Sequence, residues 1–118
     1  MPKASWFEPA RAIAIADSAT ESAGFTLNTQ TVFVGALFHA MDNGDIGLAF
    51  SIDGTNFNPV IDILTGVDAV IVASGADPGW VDFSDLVRFV PNNDKYQLRF
   101  TCASQTSGAV DVTLIEKG

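Results

Sequence analysis

The 118-residue chain has one cysteine, Cys102, so no disulfide can form within it. It has one histidine, His39, and one His with one Cys is too few for a zinc site within the chain. Between Arg11 and Arg88 there is no lysine or arginine at all. That span holds ten acids: Asp17, Glu21, Asp42, Asp45, Asp53, Asp62, Asp68, Asp77, Asp82 and Asp85. The formal net charge is −8. Such a surface repels phosphate backbones and anionic headgroups, so neither nucleic acid nor membrane is an expected partner. The longest apolar runs are far too short to span a bilayer. The start, Met1-Pro2-Lys3-Ala4-Ser5-Trp6-Phe7-Glu8-Pro9, has no apolar signal core, and the chain reads as one made in the cytoplasm.

The motifs of chemistry are absent too. There is no G-x-S-x-G elbow and no phosphate-cradling glycine loop ending in Lys-Ser/Thr. Carboxylates are plentiful, but none is marked out as half of a glycosidase pair. Asp42-Asn43-Gly44-Asp45 offers oxygen ligands for calcium in one turn, yet lacks the spacing and final Glu of an EF-hand. It reads as Asx turn chemistry. His39 ends an apolar strand, and Cys102 ends the row Tyr96-x-Leu98-x-Phe100-x-Cys102, where a buried inert thiol is expected. We therefore expect no enzyme, no catalytic residue, no metal and no cofactor.

What the chain has is apolar residues, at 47% with a mean hydropathy of +0.26. A small domain has little interior in which to hide them. Either the core is unusually full or some apolar surface meets another subunit or partner.

The most informative stretch runs from Ile46 to Leu64. Ile46, Leu48, Phe50 and Ile52 alternate, as in a strand with one buried face. Asp53-Gly54 then signals a hairpin, because glycine takes positive φ without steric cost. A two-residue loop sets Ile52 opposite Thr55; a four-residue loop sets it opposite Phe57. Both place Phe50 and Phe57 on one face. Pro59 then falls opposite Leu48 or Phe50, where a ladder N–H is expected and proline has none. The ladder should break near Asn58-Pro59, with Val60 to Leu64 re-entering against a shifted partner.

Elsewhere, residues 10–17 alternate Arg11, Ile13, Ile15 and Asp17 with alanines and read as a strand. Residues 18–24 read as a loop, and 25–27 as a short strand. Thr31 to His39 is apolar on both faces, which suggests a central strand covered on both sides, with Gly35 admitting a close neighbour. Residues 67–74, 80–83 and 86–90 read as further strands, with a turn at Asp77-Pro78-Gly79. Residues 96–102 and 109–115 alternate cleanly, and Gln97, Arg99 and Thr101 point outward. The sum is an all-β, antiparallel β-sandwich, jelly-roll or immunoglobulin-like, of about 8–10 short strands. Residues 10–118 form its one domain, and residues 1–9 an extended arm. Trp6 and Phe7 on that arm should dock on their own domain or on a neighbour.

Phe50-Ser51-Ile52-Asp53-Gly54-Thr55-Asn56-Phe57 resembles the Ser-x-Asp-Gly-Thr-Asn-Phe/Trp hairpin of small β-sandwich structural proteins of tailed bacteriophages. Lys95 to Phe100, a Ser/Gly loop and a final Val-x-Val-x-Leu strand fit the same pattern, over residues 31–116. The resemblance implies a virion protein, most plausibly a capsid decoration (cement) protein on the capsid surface. It implies a homo-oligomer, a trimer foremost, bound to the major capsid protein lattice through an N-terminal arm. No functional residue is carried over from the resemblance; Trp6, Phe7 and Arg11 are the partner contacts expected if this reading holds. The competing expectation is a carbohydrate- or receptor-binding module with Trp80 as its platform.

Overall fold

In a computed structural model the described residues form two antiparallel sheets and one turn of helix, an all-β fold. The structure describes residues 10–16, 19–28, 30–39 (His39 by its backbone only), 45–62, 64–72, 79–87, 96–102 and 110–118. The arm with Trp6 and Phe7, the turn residues Asp42 to Gly44, the Asp77-Pro78 turn and the strand expected over 88–90 lie outside the described residues.

The first sheet has the order β1-β7-β2-β5, from β1 (Arg11–Ala12), β7 (Asp111–Lys117), β2 (Phe33–His39) and β5 (Trp80–Asp82). Arg11 faces Leu114, and an isolated Ile15–Val110 bridge keeps the same register. Residues 11–15 are thus one edge strand, as their alternation predicts. Arg11, Ile13 and Ile15 turn toward the core side, and Ala12, Ala14 and Ala16 are exposed. Along β7 the buried row is Val112, Leu114 and then Glu116. The strand therefore continues two residues past its apolar pattern.

The second sheet has the order β4-β3-β6, from β4 (Asn58–Pro59), β3 (Gly47–Ser51) and β6 (Gln97–Thr101). The free side of β6 is met by the expected loop 18–24 and by the start of the short strand expected over 25–27. Glu21 bridges Thr101 and Phe25 bridges Leu98, with Phe25 and Leu98 exchanging hydrogen bonds of 2.7 and 2.8 Å. The two bridges differ in register by one residue, so residues 22–24 form a bulge. Ser22 adapts to it: its N–H donates to the Phe100 carbonyl at 2.9 Å, and its Oγ accepts the Phe100 N–H at 3.0 Å.

The hairpin takes neither expected register. Phe50 faces Asn58 and Ala49 faces Pro59, an odd-numbered connection. Val60 N–H donates to the Leu48 carbonyl at 2.9 Å, so Leu48 turns its backbone toward this edge and Ala49 turns away from it. Pro59 thus occupies a non-hydrogen-bonded site on an edge strand, where its missing N–H costs nothing. Phe57 consequently falls on the face of Ser51, opposite to Phe50, and Ile52 is 68% exposed. The ladder does not break at Asn58-Pro59 as expected: Val60 keeps the same register opposite Leu48, and the pairing with β3 ends only after it. From there Ile61 bridges Asp68, and Asp62 receives from Gly66 and donates to Val67, around the positive φ of Gly66. The strand expected over 67–74 is present only as bridges at Asp68 and at Val72, which pairs with Ile46.

Both sheets bury their inner faces in one core. Phe100 from β6 is fully buried and touches Phe25, Phe38 and Phe83 with ring centroids 5.1, 5.5 and 5.8 Å away. Phe38 belongs to the opposite sheet, so Phe100 joins the two layers. Ser84–Val87 is a single turn of helix rather than strand. Asp82 Oδ1 accepts both the N–H and the Oγ–H of Ser84, which starts that turn. Ser84 Oγ in turn accepts the Val34 N–H at 2.9 Å, fastening the turn to β2.

Candidate functional site

The acids first have structural work. Ser51 Oγ accepts the Gly54 N–H at 2.9 Å and donates to Asp53 Oδ1 at 2.9 Å. Asp53 Oδ1 also accepts the N–H groups of Thr55 and Asn56, each at 2.8 Å, and Oδ2 accepts the Asn56 amide at 2.9 Å. The Asn56 and Thr55 backbone N–H groups, then the Asn56 and Ser51 side chains, hold the Asp53 carboxyl well below the usual carboxylate range. The Ser-x-Asp-Gly-Thr-Asn run is thus a turn builder. Asp62 does similar work, accepting the Leu64 N–H at 2.8 Å.

Arg11, expected to contact a partner, is engaged within its own domain. Its guanidinium donates to Glu116 Oε1 and to the Thr26 carbonyl. Glu116 is buried, and its Oε2 accepts the Asn28 N–H at 2.8 Å and the Thr31 hydroxyl at 2.6 Å. This cluster closes one end of the core and pins the 26–31 loop to the end of β7. Cys102 is half-buried beside the core, with Sγ 3.9 Å from the Ala19 carbonyl. Asp45 and Asp68 line an open depression of about 610 Å³ with Thr101 and Cys102, and both carboxylates are exposed. Among the described residues no three His, Cys, Asp or Glu side chains gather as a metal site would require.

The surface that remains is the outer face of the first sheet. Register places Ala12, Thr113, Leu37 and Trp80 in one row across the four strands. Ile115, Gly35 and Asp82 form the next row, followed by Lys117 and Phe33. Gly35 is what lets this face be flat. A Cβ there would lie 2.4 Å from Trp80 Cζ2 and 2.6 Å from the Val81 carbonyl oxygen. The indole therefore crosses over β2 where no side chain projects. Beside it is a depression of about 290 Å³ lined by Phe33, Gly35, Trp80, Asp82, Ile115 and Lys117. Trp80 and Phe33 are each about half exposed, at 49% and 48%. Val32, just before β2, is also exposed.

Thr31 to His39 reads as a strand covered on both faces, yet only its inner face, Val34, Ala36 and Phe38, is buried by the domain together with Gly35. A second apolar surface lies on the 61–70 hairpin, where Ile61, Leu64, Val67 and Val70 are exposed. Neither surface could be placed from sequence, because period alone does not say which face of an apolar strand the fold covers. Trp80, the expected sugar platform, is half exposed on β5, within the strand expected over 80–83. No protein-family model matches the chain, and comparisons with curated proteins and with solved structures find no match.

Proposed function

We propose that this is a non-enzymatic jelly-roll structural protein of a tailed-phage virion, of the capsid decoration type, that oligomerises and binds the coat lattice. The fold part of this reading rests on strand order. Leaving aside the 68–72 segment, which bridges Ile46 and Ile61, and numbering the other eight paired segments from 11–15 to 110–117, the first sheet runs 1-8-3-6. The second runs 2-7-4-5 once the bridged segment 21–25 is included beside β6. That alternation of early and late strands between two sheets supports the double Greek key of a jelly roll. An immunoglobulin-like order would instead group the first two strands in one sheet.

The functional part rests on one observation, the apolar outer face of the first sheet. A soluble domain carrying a continuous patch of Trp, Phe, Ile, Leu and Ala on an open sheet is built to have it covered. The phage assignment itself is supported by the resemblance of the Phe50–Phe57 hairpin. Co-sedimentation of the full chain with expanded phage capsids tests it. Saturable binding at a fixed ratio to coat subunits is the expected result. Full chain left in the supernatant at every capsid concentration would reject it.

A second reading draws support from Trp80. An indole laid over a glycine on a jelly-roll face resembles a sugar platform, whose apolar ring face stacks on a pyranose. Under this reading Trp80→Ala abolishes binding on a glycan array, and an array with no hits for the intact chain removes it.

A further inference from the structure

We infer that the outer face of the β1-β7-β2-β5 sheet pairs two copies of this chain across a twofold axis lying in the sheet plane at right angles to β7. The inference deepens the oligomerisation part of the proposed function and rests on it. Its basis is the order of side chains along β7. On the outer face β7 presents Asp111, Thr113, Ile115 and Lys117 in sequence, an acid at one end and a base at the other. A twofold of this kind lays one β7 antiparallel over the other. Lys117 then meets the partner's Asp111, twice, and Ile115 meets the partner's Thr113. The pattern is self-complementary, which is what an isologous contact requires. A parallel arrangement would set Lys117 against the partner's Lys117 and Asp111 against the partner's Asp111.

The rest of the face agrees. Leu37 and Trp80 lie in the Thr113 row, so they reach the twofold from both copies. The flat alanine row of Ala12 and Ala14 raises no side chain that would hold two sheets apart. The chain's net charge of −8 opposes any approach of two copies, so a contact face with charges in balanced order is the one that could overcome it.

The size of the face sets the strength. Strands of two, seven, seven and three residues, about 4.8 Å apart with about 3.4 Å rise per residue, give a footprint of roughly 310 Å² per copy. A stable interface takes about 800 Å² per partner. The pair should therefore be reversible, with monomer and dimer exchanging in the micromolar to millimolar range.

The test is sedimentation velocity of the full chain from about 1 μM to 1 mM, a range spanning the affinity expected from the footprint. Lys117→Glu, Asp111→Lys and the exchanged double variant are run beside it, each with its fold checked by circular dichroism. We expect a shift from monomer to dimer with concentration. Each single variant should lower the association constant about tenfold, the scale of a charge pair turned repulsive. The double variant should restore it. Monomer at all concentrations overturns the inference, as does a larger oligomer indifferent to these changes. A double variant no better than the singles also overturns it. If the variants lose capsid binding while the parent stays monomeric, the coat protein occupies this face; the inference fails and the structural-protein reading stands. If dimers form as described and capsids are ignored, the inference stands and the capsid reading fails.

Discussion

The two sheets bury similar inner faces and present opposite outer ones. Outside the second sheet the chain covers itself. The Arg99 guanidinium carbon lies 4.0 Å from the centroid of the Phe57 ring, and its Nη2 reaches Glu21 at 2.8 Å. Gln97 lies against Gly24 and near Gly54. The outward row of β6 is thus roofed by the hairpin loop on one side and the 20–25 segment on the other. Outside the first sheet no such roof exists among the described residues, and Trp80 and Phe33 are half exposed. The difference teaches where to look for function. A face that the chain tiles with its own Arg, Glu and Gln is a finished surface, whereas an apolar face with Asp and Lys along its margins is one that the described residues leave open.

The comparison is broken most completely at the residue both sheets share. Phe100 belongs to the closed sheet but packs on Phe38 of the open one, so Phe100→Ala opens a cavity between the layers. We expect a loss of about 3–5 kcal/mol. That is a large part of the 5–15 kcal/mol typical of a domain. Urea unfolding would measure it. A loss below about 1 kcal/mol would mean the core can collapse around the gap and the two layers are less firmly joined than described.

Gly35→Ala tests the open face alone. The new methyl would strike both the Trp80 ring and the Val81 backbone oxygen, and only the ring can move. The expected cost is about 1–3 kcal/mol by overpacking, read as a lower urea midpoint. It should be accompanied by weaker self-association, because the displaced indole no longer lies flat. Arg99→Ala tests the closed face and should cost about 1 kcal/mol. That sums a partly exposed cation–π contact and an ion pair whose acid is half exposed, each worth a fraction of that figure. Its self-association should match the parent's. If Arg99→Ala alters association and Gly35→Ala does not, the two faces have been assigned the wrong way round.

How much of this contrast the sequence foretold depended on period and failed where period ends. The alternation of Leu98 and Phe100 with Gln97 and Arg99 reveals inside and outside at a glance, and Gly35 signals a close neighbour. Glu116 was not legible as the last inward residue of β7, because a charge in a core row makes sense only with Arg11 already opposite. Phe57 was misplaced because two registers with even loops were weighed and the fold uses an odd one, in which Pro59 needs no hydrogen bond. Residues 20–24 read as loop because, ahead of the short strand expected from Phe25, they meet β6 through one bridge and a Ser22 side chain instead of a ladder. The unroofed face was hidden for a different reason. An apolar strand like Thr31 to His39 looks the same whether the domain covers its second face or leaves it open. Only the register, with alanine, glycine and tryptophan side by side across four strands, separates the two.

The smallest expected effect concerns the turn that closes the roofed face. Asp53 binds as a carboxylate, accepting the Asn56 and Thr55 N–H groups and the Asn56 amide while Ser51 donates to it. Those bonds depress its pKa in the folded state below the ordinary 3.8. A depressed folded pKa means that the unfolded chain takes up the proton first as pH falls. The stabilisation from Asp53 is therefore complete above about pH 5, begins to fall as pH drops through the unfolded value near 4, and is lost through the still lower folded pKa. Asp53→Asn removes this dependence, because the amide can keep one acceptor but not the charge. Melting temperature should fall slightly on substitution at pH 7, and the gap between parent and variant should close as pH is lowered toward 2. A gap that stays constant across this range would show that the turn is held by Gly54 and Asn56 rather than by the Asp53 charge. The Arg99 and Phe57 roof next to it would then owe nothing to the acid.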